Sequence, residues 1–205
     1  MREPVTVRCQ MDENGRLPQY ESGGAAGMDV RASVSFVILP GQTVLVPTGL
    51  KVAIPEGYEL QVRPRSGLSY RTTLRIANAP GTIDSDYRDE IKVLVANTAS
   101  LTDWGTQVLN HPELAATLGA DDRVCTLEQF LQARGIDLPE LTPGVHVPVF
   151  LDEDGFPLGT VRIEKGERIA QLVLCKVAQA VWEHVSDVSE HGQNRGGGFG
   201  STGTV

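Results

Sequence analysis

An all-β fold is predicted by the composition of the chain and by the spacing of its apolar residues. Of its 205 residues 40% are hydrophobic but only 5% are aromatic, and 22 are glycine and 12 are proline. This balance favours short strands and tight turns over a helical bundle. Short apolar or alternating runs recur between Pro and Gly turns, which indicates a sandwich, a jelly roll or a barrel. The length is sufficient for one sizeable hydrophobic core.

The runs that are typical of strands fall into two groups, one in each half of the chain. The first group is Val34–Leu39, Gln42–Val46, Leu60–Arg63 and Ile91–Ala96. Turns are expected between them at Pro40-Gly41, at residues 55–57 and at Pro80-Gly81, because Pro and Gly interrupt strands. The second group is Val145–Leu151, Gly159–Ile163 and Ile169–Val177, with a plain turn at 164–167.

The segment between the two groups has a different pattern. Leu109–Leu118 and Leu127–Arg134 have apolar residues at helical spacing. Thr126 is a suitable N-cap for the second helix, with Gln129 at the capping-box position and Gly135 where a C-cap glycine belongs. We therefore expect a partly helical insertion at 98–159, a β core made of 1–97 and 160–182, and a linker with a glycine-rich arm at 183–205.

Charge and cysteine content narrow the class of protein. The net charge is −8, which argues against a general nucleic-acid-binding surface. Cys9, Cys125 and Cys175 are odd in number and far apart, as expected for free thiols in a reducing compartment. The chain has no apolar run of 18 residues and no recognisable signal peptide, so we expect a cytoplasmic protein without a membrane partner. The four histidines lack metal-ligand spacing.

The stretch Arg195–Gly203 is the most informative part of the sequence. Five of its nine residues are glycine, and glycine lets backbone amides approach an anion closely. Ser201 and Thr202 add donors, Arg195 adds a fixed charge and Phe199 offers a flat face to a base. The stretch predicts an arm that closes over a nucleotide polyphosphate, although a glycine-rich tail without order has the same composition.

Four internal stretches also carry polar residues at strand ends or in turns. They are Ala26–Val30 with Asp29, Pro64–Leu68, the polar hairpin Asn78–Arg88 with Asp84 at its centre, and Gly166–Gln171. Each of these stretches alone is common as plain structure.

In this order the five stretches resemble the five motifs of the trimeric deoxyuridine triphosphatases (dUTPases), and the resemblance covers nearly the whole chain except the insertion. It implies a jelly-roll (β-clip) homotrimer whose three active sites lie at subunit interfaces. The implied reaction is Mg2+-dependent hydrolysis of dUTP to dUMP and pyrophosphate, by attack of water on the α-phosphorus. This reaction keeps uracil out of DNA and supplies dUMP for thymidylate synthesis.

The resemblance also assigns roles to residues of this chain. Asp84 matches the catalytic aspartate that activates the attacking water, which requires an ionised carboxylate within hydrogen-bond reach. Asn78, with backbone groups near Gly81 and Lys92, would bind the uracil edge. Tyr87 matches the aromatic residue on which the deoxyribose packs. Phe199 would stack on uracil when the arm closes.

The remaining implied contacts are with the triphosphate. They involve Arg65, Ser66, Gly67 and Gln171, together with Arg195, Gly200, Ser201 and Thr202 from the arm. One Mg2+ would be held mainly by phosphates and waters, and Asp29 would reach it through water, as suits an ion that gives up its waters reluctantly. For Arg168, a pairing at the trimer interface is the alternative to a substrate contact.

Three features depart from the family pattern. Asp89 follows Arg88 where glycine is usual, and only three residues separate Arg195 from Phe199 instead of four. The insertion replaces a short hairpin, and a decorated surface loop, an extra trimer contact or a docking site for another protein, anchored by Trp104 and Phe130, are all compatible with its sequence.

Two other functions are compatible with parts of the sequence. Deoxycytidine triphosphate deaminases, and their bifunctional deaminase–dUTPase relatives, are expected to share this fold but have a glutamate where this chain has Leu94. A nucleotide-binding regulator that acts through the insertion would not need Asp84. The phosphate-binding pattern of P-loop nucleotidases is missing from the sequence.

Overall fold

The computed structural model describes residues 3–110, 112, 123–136 and 147–193, and within them strands dominate. The strands are β1 (Arg8–Met11), β2 (Met28–Arg31), β3 (Phe36–Ile38), β4 (Thr43–Pro47), β5 (Leu50–Ala53), β6 (Tyr58–Arg63), β7 (Leu74–Ile76), β8 (Gly81–Ile83), β9 (Lys92–Asn97), β10 (Val124–Thr126), β11 (Pro148–Phe150), β12 (Val161–Ile163) and β13 (Arg168–Lys176). Three short α-helices join them, namely α1 (Ser66–Arg71), α2 (Trp104–Asn110) and α3 (Leu127–Gln132), and a 3-10 turn covers Val188–Glu190.

Two antiparallel sheets form the centre of the fold. One has four strands in the order β2-β13-β6-β8, and the other has three in the order β4-β9-β7. Both contribute to one hydrophobic core, in which the most buried side chains include Val30, Leu60, Leu172, Val46, Val93, Val95 and Leu74. Two separate two-stranded ribbons, β1-β5 and β3-β12, are formed in addition to these sheets. The predicted all-β fold is confirmed in its jelly-roll form.

Most predicted strands agree with the structure to within two or three residues at each end. β3 is shorter than predicted and begins after Ser35, whose hydroxyl donates a hydrogen bond to Glu164 (3.0 Å) and accepts one from Lys165 N (3.0 Å). The turn at 164–167 is closed by a hydrogen bond from Glu167 N to Glu164 O (2.9 Å), with Gly166 at φ 85°. That positive φ explains the glycine.

The polar hairpin predicted at Asn78–Arg88 needs a correction. The two arms pair only at the base of the hairpin, away from its loop, where β7 pairs with β9 and Ala77 N donates to Leu94 O (2.9 Å). Beyond that point β8 pairs with β6 of the other sheet, while Lys92 at the start of β9 pairs with β4. The two arms therefore separate, because each continues in a different sheet, and an opening is left between Asn78 and Lys92.

The segment 98–159 has a small core of its own. The strands β10 and β11 pair with each other, and Phe130 from α3 is buried with Val149 and Phe150. Thr126 and Gln129 form the predicted capping box, and Ile136 N and Gly135 N close the other end of α3 on Leu131 O and Gln132 O. Gly135 has φ 70°, as the predicted C-cap glycine requires.

The helix predicted at Leu109–Leu118 lies mostly outside the described residues. The part that is described, α2, begins five residues earlier than predicted, at Trp104. The carboxylate of Asp103 accepts a hydrogen bond from Thr106 N (3.1 Å), so Asp103 caps the helix. Within the described part of the chain, no helix is long and apolar enough to cross a membrane.

A stack of aromatic and guanidinium groups attaches this small core to β12. The guanidinium of Arg134 lies 3.8 Å from the ring centre of Phe130, and that of Arg162 lies 4.9 Å from the ring centre of Phe156. Arg162 also forms 2.9 Å ion pairs with Asp152 and with Asp154. Burial of Asp152 opposes its ionisation, but its hydrogen bonds, from Phe156 N and Arg162 first, outweigh burial and keep its pKa below the ordinary value.

The side-chain amide of Asn97 connects both ends of 98–159 to the sheets. It is 2% exposed. Its nitrogen donates to Ile38 O (3.0 Å) and Gly159 O (2.8 Å), and its oxygen accepts from Thr73 Oγ1 (2.6 Å) and Ala99 N (3.0 Å). All four hydrogen-bonding positions of this amide are therefore used.

We expect Asn97→Ala to lower the free energy of unfolding by about 3 kcal/mol, because it leaves buried carbonyl and amide groups without partners. The measurement is urea denaturation at a fixed protein concentration. The control is Thr98→Ala, which removes one exposed hydrogen bond to Thr73 O and should cost about 1 kcal/mol or less. Equal urea midpoints for Asn97→Ala and the unsubstituted chain would contradict the role of Asn97.

Candidate functional site

Several of the predicted site residues meet at one end of the four-stranded sheet. In one row across the sheet, Asp29 of β2 pairs with Gln171 of β13, which pairs with Arg63 of β6. In the next row, Leu172 pairs with Val62, which pairs with Gly81. Arg65 lies two residues after the end of β6, so residues from four of the five motifs lie close together at this end of the sheet.

Asp29 is the centre of a compensated charge cluster. Its Oδ1 accepts from Arg65 Nε (2.7 Å) and its Oδ2 accepts from Arg65 Nη2 (3.2 Å) and Arg168 Nη1 (3.1 Å). Arg168 Nη1 also lies 3.2 Å from Glu21 Oε1. The Asp29 side chain is 12% exposed, and two guanidinium groups balance two carboxylates. Arg168 thus has carboxylate partners within its own chain, and the sequence did not predict the role of Glu21.

The side chain of Gln171 is fixed in place by two contacts. Its Nε2 donates to Pro64 O (2.9 Å). Its other side packs against Gly27, where a Cβ atom would lie 3.1 Å from Gln171 Cδ and 3.2 Å from Gln171 Cβ. Gly27 is therefore required by the close approach of Gln171.

Ser66 and Gly67 are the first two residues of α1, which begins near the same end of the sheet. Ser66 is exposed and begins α1, and its N-cap residue Arg65 makes no side-chain cap. The guanidinium of Arg71 covers Gly67, since its Nη1 lies 3.2 Å from where a Cβ of Gly67 would be. Sequence analysis missed Arg71, although its position four residues after Gly67 on a helix would have indicated this contact.

Asn78 lies at the opening between the arms of the hairpin. Its amide packs over Gly81, because Nδ2 and Oδ1 lie 3.1 Å and 3.4 Å from where a Cβ of Gly81 would be. β8 is the edge strand of its sheet in the described structure, and an edge strand presents backbone N–H and C=O groups to a ligand. Leu94 is opposite Leu45 on β4, so this position has an apolar side chain and no general base.

Asp84 follows the C-terminal end of β8, whereas Asn78 lies before the N-terminal end of that strand. It is exposed, and together with Ser85 and Asp86 it lines a cleft of about 750 Å³. Glu56 and Glu59 also line this cleft. Arg88 also lines the cleft, and its Nη1 donates to Ser85 O and Tyr87 O, both at 2.7 Å.

Tyr87 and Lys92 flank the same loop. The hydroxyl of Tyr87 donates to Glu90 O (3.0 Å), and the residue is 37% exposed. Glu90 in turn accepts from Gly49 N (2.8 Å) and lies 3.9 Å from Lys92 Nζ. Asp89, which takes the usual place of glycine, is exposed.

Within one chain these residues form two groups that do not meet. Gln171 pairs with Arg63 at the end of β6, whereas Asp84 follows Ile83, which pairs with Leu60 near its start. The four residue steps from Glu59 to Arg63 span about 13 Å along the strand. The predicted arm residues Arg195, Phe199, Gly200, Ser201 and Thr202 lie outside the described residues.

The guanidinium groups that donate to Asp29 indicate how this carboxylate could contact the predicted Mg2+. Both Asp29 oxygens accept hydrogen bonds from guanidinium groups, so a second-shell contact through water suits this carboxylate better than direct ligation. No cluster of three or more metal-ligating side chains exists among the residues that the structure describes. The geometry thus fits the expected water-mediated role of Asp29.

Comparisons with known proteins agree with the fold and the motifs. A sequence model of the dUTPase family matches residues 13–102 and 143–203. A deoxyuridine 5'-triphosphate nucleotidohydrolase of Brucella melitensis is 39% identical over 203 residues, which covers 97% of this chain and 92% of that protein. The enzyme of the same name from Chlamydia pneumoniae is 54% identical over 100 residues, covering 48% of this chain and 69% of that protein.

The fold has a solved counterpart. The Staphylococcus bacteriophage 80alpha dUTPase with dUPNHPP has a TM-score of 0.67 and 25% sequence identity, and the match covers 97% of this chain and 99% of that one. Together with the family match over both parts of the β core, this likeness means that the chain belongs to the dUTPase family.

Proposed function

We propose that this chain hydrolyses dUTP to dUMP and pyrophosphate with Mg2+. The observation that carries the proposal is the exposed carboxylate of Asp84, which follows an edge strand with Asn78 and Gly81 at its other end. Relatives named deoxyuridine 5'-triphosphate nucleotidohydrolase support it.

The opening between the hairpin arms suits the Watson–Crick edge of uracil. The amide of Asn78, which can both donate and accept, lies over Gly81, and backbone groups of β8 and of Lys92 border the opening. A pocket that pairs donors with acceptors on uracil rejects cytosine, because cytosine would face donors with donors.

Tyr87 would discriminate against ribonucleotides. Its hydroxyl is hydrogen-bonded to Glu90 O, which fixes the ring at the side of the opening. A ring held in this way can pack against a deoxyribose and leave no space for a 2′-hydroxyl. Phe199 of the arm would stack on the base, a contact worth roughly 1–3 kcal/mol.

The triphosphate would bind at the other group of residues. Arg65, Ser66, Gly67 and Gln171 lie together there, and the arm residues Arg195, Gly200, Ser201 and Thr202 would complete the contacts. Mg2+ held by phosphate oxygens would neutralise charge on the phosphates, with Asp29 bonded to one of its waters. Asp84 would accept a proton from the water that attacks the α-phosphorus.

We also propose a homotrimer with composite sites. The residues proposed to bind the triphosphate and the residues around Asp84 lie at opposite ends of β6 in one chain, so a complete site would need Asp84 from a second copy.

We further propose that 98–159 is an insertion in the β core of 1–97 and 160–182, with 183–205 as linker and arm. A partner protein at the insertion is an open part of this proposal. The unpaired Cys9, Cys125 and Cys175 suit the cytoplasm.

The test of the function is pyrophosphate release with Mg2+ from dUTP, dCTP, dTTP and UTP in parallel, with the base of each product identified. We expect turnover of dUTP alone. Ammonia released from dCTP would instead indicate a deaminase. Binding of dUTP without turnover would indicate a nucleotide-dependent regulator.

We expect Asp84→Asn to lower kcat by about 10²–10⁴-fold while a nonhydrolysable dUTP analogue still binds, because the amide cannot accept the proton of the water. The matched control is Asp86→Asn, which changes a second carboxylate of the same cleft and should leave kcat close to that of the unsubstituted enzyme. Full activity of Asp84→Asn would rule out the mechanism.

We expect Gly27→Ala to reduce kcat/KM for dUTP, because its Cβ must displace Gln171. Overpacking of this kind costs about 1–3 kcal/mol. Steady-state kinetics would be compared with those of Gly23→Ala, at which an added Cβ meets no atom within 4 Å. Equal kinetics for the two variants would mean that the position of Gln171 does not matter to catalysis.

A further inference from the structure

The cations at the phosphate end of the sheet differ in how their charge is balanced. Arg65 and Arg168 are both paired with Asp29, and Arg168 is also paired with Glu21. Two positive and two negative charges cancel, so this cluster offers little net attraction to a polyphosphate. Attraction for the nucleotide must therefore come from positive charge outside this cluster, of which the proposed Mg2+ and Arg195 are two sources.

Arg71 is suitably placed to supply that charge. Its side chain extends back along α1, so that Nη1 lies 3.2 Å, and Cζ and Nη2 3.7 Å, from where a Cβ of Gly67 would be. The residue is exposed. Among the described residues its guanidinium has no hydrogen-bond acceptor and no carboxylate partner.

A purely structural role for Arg71 at the end of α1 is already filled by another residue. Arg75 Nη1 donates to Ser69 O (3.0 Å), Thr72 O (2.9 Å) and Leu74 O (2.7 Å). Arg75 therefore satisfies carbonyls at this end of the helix, and the guanidinium of Arg71 remains free for a ligand.

We propose that Arg71 is a substrate-binding residue, whose guanidinium contacts the phosphate chain of the nucleotide lying over Ser66 and Gly67. The proposal rests on the proposed function, since it takes the ligand at Ser66 and Gly67 to be a nucleoside triphosphate. Gly67 has a second purpose in this arrangement. A Cβ at that position would require the guanidinium of Arg71 to shift by a few tenths of an ångström, so glycine lets the guanidinium lie in its present position beside the phosphates.

The test compares Arg71→Ala with the unsubstituted enzyme, by calorimetric titration of an α,β-imido analogue of dUTP and of deoxyuridine, which has no phosphate. We expect the analogue to bind about tenfold more weakly to Arg71→Ala, the usual effect of losing a charge-assisted hydrogen bond. Deoxyuridine should bind equally to both. The affinity of the analogue should also depend less on salt concentration in Arg71→Ala, because one screened charge is gone.

Two further variants and one control complete the design. Arg71→Lys should recover part of the affinity, since it restores the charge but not the planar fork. Gly67→Ala should weaken analogue binding, because it displaces the guanidinium. The control is Arg8→Ala, which removes an exposed cation from β1 and should change neither affinity nor salt dependence.

Unchanged analogue affinity in Arg71→Ala, or an equal loss for the analogue and deoxyuridine, would overturn the proposal. A failure of the proposed function is distinguishable from these outcomes. In that case the unsubstituted chain itself would release no pyrophosphate from dUTP, whether or not it binds the analogue and whatever residue occupies position 71.

Discussion

The fold depends on one buried amide. The side chain of Asn97 makes hydrogen bonds to β3, to Thr73 before β7 and to both ends of 98–159, while its backbone pairs with Gln42 and Gly41. An amide that uses all its donors and acceptors in this way fixes direction as well as distance, which apolar packing alone does not. Both ends of the segment 98–159 are held by this amide, through Ala99 N and Gly159 O. The small core of the segment can therefore form without altering the order of the strands on either side.

Polar groups are also paired with one another at the end of the sheet that carries the candidate site. Asp29 holds two guanidinium groups in one orientation, and together with Glu21 it neutralises their charge, so this cluster is ordered but close to neutral. An ordered, neutral cluster provides geometry, and attraction for an anion must come from groups that have no carboxylate partner. Ser66, Gly67 and Arg71 are such groups on the described surface, and the metal ion expected with the nucleotide is another source of positive charge.

Local patterns in the sequence were sufficient for much of the fold. The capping box of α3, the glycine of its C-cap and the strands β11, β12 and β13 follow from short-range rules, since their signals lie within a few residues. The separation of the hairpin arms could not be predicted, because it depends on the pairing of Gly81 with Val62, far away in the sequence. For the site, the motifs predicted Asp29, Arg65 and Gln171 as neighbours. They did not reveal Glu21 or Arg71, whose positions depend on side-chain direction.

The separation of the hairpin arms also bears on how easily the site could change. The opening between β8 and β9 results from the pairing of each arm with a different sheet, and β8, as an edge strand, presents main-chain groups at its side. Point substitutions alter side chains but leave main-chain donors and acceptors in place. An inhibitor whose base filled this opening would therefore rely on contacts that a resistant variant could remove only by changing the pairing of a whole strand.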